Sequence, residues 1–66
     1  PIMIGTLYTL RSTGELWMCI KIEHAHIAYI TLLSPKGKKW ECKGLRELDR
    51  WFEPVPINPN YGDNHE

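Results

Sequence analysis

The stretch Glu15-Leu16-Trp17-Met18-Cys19-Ile20-Lys21-Ile22-Glu23 decides the fold. Leu16, Met18, Ile20 and Ile22 fall on one side of an extended chain, and Glu15, Trp17, Cys19, Lys21 and Glu23 on the other. An apolar set recurring every second residue is the signature of a β-strand with one covered face. A helix fails here, because the apolar positions between 15 and 33 would lie on every side of it. Taken at face value, the alternation assigns Leu16, Met18, Ile20 and Ile22 to the core and leaves Trp17 pointing outward.

Working outward, residues 2–10 are rich in β-formers (Ile-Met-Ile-Gly-Thr-Leu-Tyr-Thr-Leu) and predict a first strand. Arg11-Ser12-Thr13-Gly14 then reads as the hairpin turn between the two strands. On the other side, Glu23-His24-Ala25-His26 is a polar break, and residues 27–33 predict a third strand. Its Ala28, Ile30 and Leu32 share one face, and Ile27, Tyr29, Thr31 and Leu33 the other. Ser34-Pro35-Lys36-Gly37 is a turn, after which 38–43 send Trp40 and Cys42 one way and Lys39, Glu41 and Lys43 the other. From Gly44 to Phe52 the period changes, since Leu45, Leu48 and Phe52 recur at three and four, as in one or two helical turns. Residues 53–57 predict a last strand held to an edge by Pro54 and Pro56.

Four strands, a helical turn and a fifth strand give a mainly β fold: a small five-stranded antiparallel SH3-like barrel with one short helical turn before the last strand. An open, curled sheet with a helix laid across it is the alternative. The expected organisation is one domain over residues 1–57 and a flexible tail over 58–66, a stretch with little to bury.

Composition narrows the function. Sixty-six residues allow one domain, and a chain this short buries only about 60% of its unfolded surface. With 42% apolar residues, three Trp and three Tyr, it still has material for a core. Eight basic and eight acidic side chains cancel, so no global field attracts nucleic acid, membranes or acidic substrates. Cys19 and Cys42 are too few for a disulfide scaffold and form no Cys-x-x-Cys pair. No segment resembles a signal peptide or has the ~20 apolar residues that a membrane span needs. The expected setting is a reducing cytoplasm, with free thiols and no membrane partner.

Gly5-x-Leu7-Tyr8, the hairpin Gly14, Lys36-Gly37-Lys38-Lys39-Trp40 and Leu45-x-x-Leu48-x-x-Trp51-Phe52-x-Pro54-Val55 stand in one order along the chain. That layout resembles the short SH3-like barrel proteins encoded by bacteriophages and other mobile elements. The resemblance covers about residues 4–57 and is one of fold pattern. It implies an accessory protein that binds a host or phage macromolecule, and it carries over no functional residue.

Four constellations of residues bear on function. Pro1 resembles the N-terminal proline of small tautomerases, whose free amine acts as a base. Those proteins place a long helix where residues 15–33 read as strands, so catalysis of that kind is rejected, and removal of an initiator Met accounts for Pro1. Cys19, His24, His26 and Cys42 are zinc-ligating types but lack zinc-site spacing, and neither Cys has a matched base. No metal or cofactor is therefore expected, and the chain reads as non-enzymatic.

Nucleic acid is the third. Lys36, Lys38, Lys39, Lys43, Arg46 and Arg50 stand against Glu41, Glu47 and Asp49, a local excess of three positive charges, with Trp17 and Tyr29 nearby to stack bases. Protein binding is the fourth and preferred one. An aromatic such as Trp17 on an outward strand face marks a recognition patch, which Tyr8, Ile27, Tyr29, Arg50 and Trp51 could join. The expected binding residues are Trp17, Tyr29 and Trp51 as apolar anchors, with Lys39, Lys43 and Arg50 setting orientation. Trp17 could equally be covered by the chain itself or by a second copy in a homodimer. Pro54-Val55-Pro56-Ile57-Asn58-Pro59 could also serve as an extended ligand for another protein.

Overall fold

The computed structural model describes residues 2–56; Pro1, Ile57 and the tail assigned to 58–66 lie outside the described residues. The elements follow the predicted order: β1 (Leu7–Leu10), β2 (Leu16–Glu23), β3 (Tyr29–Leu33), β4 (Lys39–Lys43), α1 (Gly44–Trp51) and β5 (Phe52–Pro54). Every strand pairing is antiparallel, and the sheet order is β4-β3-β2-β1-β5. The sheet curls into a half-barrel whose edges, β4 and β5, do not pair. Instead α1 joins them and packs on β3, β4 and β5.

Both predicted turns form. At the first, the amide N–H groups of Thr13 and Gly14 donate to the carbonyl of Leu10, and Gly14 takes φ +79°, which favours glycine. At the second, Ser34 is buried, and its Oγ accepts the Lys38 N–H at 3.0 Å. The first strand is shorter than the sequence suggests, because residues 3–6 form a turn in which Thr6 N–H donates to the Met3 carbonyl.

The core lies on the concave side of the sheet. Tyr8, Leu10, Trp17, Cys19, Ile30, Leu32, Cys42, Leu48 and Phe52 are buried there, with Ile2, Ile22 and Trp40 packed against them. Phe52 is its hub. Its ring meets Trp40 at 5.1 Å, Trp17 at 5.7 Å and Tyr8 at 6.5 Å between centroids, each edge to face. That arrangement sets positive ring edges against negative faces and adds about 0.5–1.5 kcal/mol per pair beyond area burial.

The helix is held at both ends. Glu47 reaches back to accept the Lys43 N–H at 2.6 Å, and Arg11 donates to the Asp49 carbonyl at 3.0 Å while its backbone N–H donates to that of Trp51. The first helical N–H, that of Gly44, donates to the Ala28 carbonyl, so orphan groups at both termini find partners outside the helix. Gly44 enters the helix at φ +82°, and a Cβ there would sit 3.3 Å from Ile27.

One expectation about the second strand is corrected. Trp17 and Cys19 are buried, at 5% and 0% exposure, whereas Leu16 and Met18 are exposed at 48% and 39%. A β-bulge is the cause: Cys19 pairs with Leu32 and Lys21 with Thr31, so β2 spends one residue more than β3 at Ile20. An extra residue reverses the facing of everything before it relative to everything after. Ile22 faces inward opposite Ile30, as the alternation said, but Leu16 and Met18 do not. The core assignments of Ile30, Leu32, Trp40 and Cys42 stand as expected.

Candidate docking surface

The bulge places an apolar row on the outer, convex face of the sheet. Leu7 is the cross-strand partner of Met18, Met18 of Leu33, and Leu33 of Lys39. Val55 extends the row beyond Leu7, donating its N–H to the Leu7 carbonyl at 3.1 Å. Cross-strand partners point to the same face, so Leu7, Met18, Leu33 and Lys39 share it across four strands, and Val55, just past β5, continues the row. With strands about 4.8 Å apart, the row is about 19 Å long. Leu16, opposite Thr9, adds a second row, and Glu53, also opposite Thr9, ends it at the β5 edge.

Two shallow hollows flank Leu7. One, of about 420 Å³, is lined by Met3, Ile4, Leu7, Val55 and Pro56. The other, of about 400 Å³, lies among Leu7, Leu16, Met18, Leu33 and Pro35. Met3 and Ile4 are among the most exposed large apolar side chains described. Past the bulge the same face turns polar, with Lys21, Thr31 and Glu41 in one row and Glu23, Tyr29 and Lys43 in the next.

The sequence-predicted residues fall into three places. Trp17 is core, not surface: its indole packs edge-to-face on Trp40 at 5.8 Å and on Phe52, and Nε1 donates to Glu15 Oε1 at 3.1 Å. Tyr8 is likewise buried. Tyr29, Lys39 and Lys43 do share the outer face, and Tyr29 pairs directly with Lys43. Trp51 and Arg50 belong to α1. Trp51 is 42% exposed and leans on Trp40 at 6.0 Å, and Arg50 borders a small depression with Lys43, Arg46 and Glu47. The structure therefore does not assemble one aromatic patch around Trp17.

The residues that sequence reasoning missed are Leu7, Leu16 and Met18. Both sides of 16–19 are apolar, so only the flanking charges at Glu15, Lys21 and Glu23 gave the strand a polarity, and the bulge breaks the inference from Lys21 and Glu23 back to Leu16. Glu15 gave no help, since it shares a side with Trp17 whichever way that side faces, and in the fold its carboxylate accepts the indole N–H.

The remaining chemistry is sparse. Burial raises the Cys42 thiol to about 11, with Glu47 adding to the shift. Burial also raises Cys19, against a smaller opposing effect of the Lys21 backbone. Neutral buried thiols are weak nucleophiles. Among the described residues no three His, Cys, Asp or Glu side chains gather as metal ligands, and no helix is long and apolar enough to cross a membrane. No protein-family model matches the chain, and neither a curated protein nor a solved structure shows significant similarity to it.

Proposed function

We propose that this protein is a non-catalytic docking module that binds another protein through the outer face of its sheet. In the setting implied by the sequence resemblance, it is a phage or mobile-element accessory protein working in a host cytoplasm as inhibitor or adaptor. One observation carries this reading: Leu7, Leu16, Met18 and Leu33 form a contiguous apolar surface on three adjacent strands, none of it used by the core. Apolar side chains in such a row cost solubility unless a partner covers them, because each keeps its hydration unfavourable. The hollows beside Leu7 supply relief into which a partner's side chains can fit.

Trp17→Ala does not test this surface, because it removes part of the core. Met18→Glu and Leu7→Asp do. The immobilised protein is expected to retain a protein partner from host lysate, and either charge is expected to abolish capture while the far-UV circular dichroism stays that of the wild type. Unchanged capture by both variants sinks the reading.

Nucleic-acid binding has one observation in its favour, the cross-strand pairing of Tyr29 with Lys43. With Trp17 buried, that platform offers a single aromatic. Binding of this kind would fall steeply with salt and disappear in Lys39→Glu plus Lys43→Glu.

A further inference from the structure

We infer that the chain pairs with a second copy of itself along the open edge of β4, so that two five-stranded sheets run on as one. The surface involved is backbone at the sheet edge, distinct from the outer face proposed above for a protein partner.

In an antiparallel ladder, alternate residues turn their N–H and C=O groups toward the partner strand, and the others turn theirs away. The ends of the β3–β4 ladder fix which is which. Gly44 N–H donates to the Ala28 carbonyl at 2.6 Å, and Ser34 N–H to the Lys38 carbonyl at 2.9 Å. Trp40 and Cys42 share that parity, opposite Leu32 and Ile30, and so face β3 as well. Lys39, Glu41 and Lys43 therefore aim their backbone groups out of the edge. Helix α1 closes one end of it, where Glu47 accepts the Lys43 N–H. The N–H and C=O groups of Lys39 and Glu41 find no partner among the described residues, and both residues are exposed.

The opposite edge is sealed. Val55 N–H donates to the Leu7 carbonyl and Arg11 N–H to that of Trp51, which leaves Phe52 and Pro54 turned outward. Phe52 gives its N–H to the Leu48 carbonyl, and Pro54 has none to give. Of the two edges, β4 alone keeps free donors with which to template another strand.

Charge says which strand fits. Lys39, Glu41 and Lys43 alternate in sign along the outer side of β4. When two β4 strands pair antiparallel with the two-fold axis at Trp40, Lys39 of each copy lies opposite Glu41 of the other. Each such pair exchanges two backbone hydrogen bonds and sets an ammonium beside a carboxylate. An axis at Lys39 or at Glu41 would instead oppose like charges. An axis at Cys42 would call on the Lys43 N–H, which Glu47 already holds. One register satisfies backbone and charge together, and the chain supplies both halves of it, as a two-fold contact demands. Lysines on a bare edge ordinarily deter pairing. The glutamate between them turns that deterrence into self-recognition.

The paired segment is short, so the interface lies at the small end of specific ones, and a Kd of roughly 0.1 mM is expected. Sedimentation velocity on the full chain, from low micromolar to millimolar concentration, tests this alongside amide exchange read by NMR. The wild type should approach twice the monomer mass, and the Lys39 and Glu41 amides should gain protection in step with it. Glu41→Pro removes an open N–H and a carboxylate but no bond to β3, and should raise Kd at least about 30-fold. Lys39→Glu and Glu41→Lys should each raise it about tenfold. An equimolar mixture of those two chains should recover wild-type affinity, because every cross-strand pair is again opposite in charge. Recovery in the mixture also shows that neither variant has lost its fold. A wild type that stays monomeric at millimolar concentration overturns the pairing, as does a dimer whose Lys39 and Glu41 amides stay unprotected. A mixture no tighter than its components overturns the register. A dimer lost in Met18→Glu but kept in Glu41→Pro assigns self-association to the outer face and overturns the edge.

Discussion

The two faces of β2 carry nearly the same chemistry and do opposite jobs. Trp17 and Cys19 point into the half-barrel, where Trp17 is wedged among Trp40, Phe52 and its acceptor Glu15. Leu16 and Met18, interleaved with them, face out and stand outside the core cluster. Hydrophobicity alone does not rank the two sets. What separates them is the fit of a flat indole against two other rings, and the bulge at Ile20 that lets this half of the strand turn its aromatic inward while Ile22 still meets Ile30. In a domain this small, a single inserted residue decides which half of the apolar material becomes core and which becomes surface.

That contrast can be broken most forcefully at the centre. Phe52→Ala should cost about 3–5 kcal/mol, and Trp17→Ala a similar amount, because each leaves a cavity among rings that cannot collapse together. Urea unfolding monitored by circular dichroism reads both, and the margin of so short a chain makes complete unfolding the expected outcome. Leu16→Ser and Met18→Ser on the other face should shift the monomer's stability by no more than about 0.5 kcal/mol. Equal losses on both faces would refute the inward assignment of Trp17.

A second test uses pH. Cys42 is fully buried on β4, and its thiol stays neutral to about pH 11, whereas in the unfolded chain it ionises near 9. The fold therefore holds a proton that the unfolded chain gives up. Stability should be intact below pH 9 and fall by on the order of 1–2 kcal/mol as pH rises from 9 to 11. Cys42→Ala should flatten that slope, and the native thiol should resist alkylation at neutral pH until the chain is unfolded.

Smaller effects sharpen the role of the helix as the bridge between the sheet edges. Gly44→Ala forces a Cβ toward Ile27 in a backbone region that L residues avoid, and should lower stability by about 1–2 kcal/mol. Arg11→Ala should cost less, about 0.5 kcal/mol. Its ion pairs to Asp49 and Glu53 are exposed and long, at 3.5 and 3.6 Å, and only its hydrogen bond to a helix carbonyl is well formed. If Arg11→Ala exceeded Gly44→Ala, the exposed pairs would be carrying more of the helix docking than their geometry allows.

Much of the fold is legible in the sequence. The turn residues Gly14 and Ser34-Pro35-Lys36-Gly37, the change of period at Gly44 and the edge prolines fixed the order of five strands and one helix, because each is a local backbone preference written in a single residue or a short spacing. The inner faces of β3 and β4 were legible too, since Lys39, Glu41 and Lys43 alternate cleanly with Trp40 and Cys42. Of the expected binding residues, Lys39, Lys43 and Tyr29 do share one exposed face, and Trp51 and Arg50 reach the surface on the helix.

The facing of Trp17 was not legible. A bulge is chosen by how strands fit across the sheet, and residues 16–19 offer apolar side chains to either side, so no local preference could decide between them. The sequence by itself determined where the chain extends, turns and coils. Only the tertiary packing, through one extra residue at Ile20 and the close fit of Trp17 against Trp40 and Phe52, decided which apolar face is spent on stability and which is left open at Leu7, Leu16 and Met18.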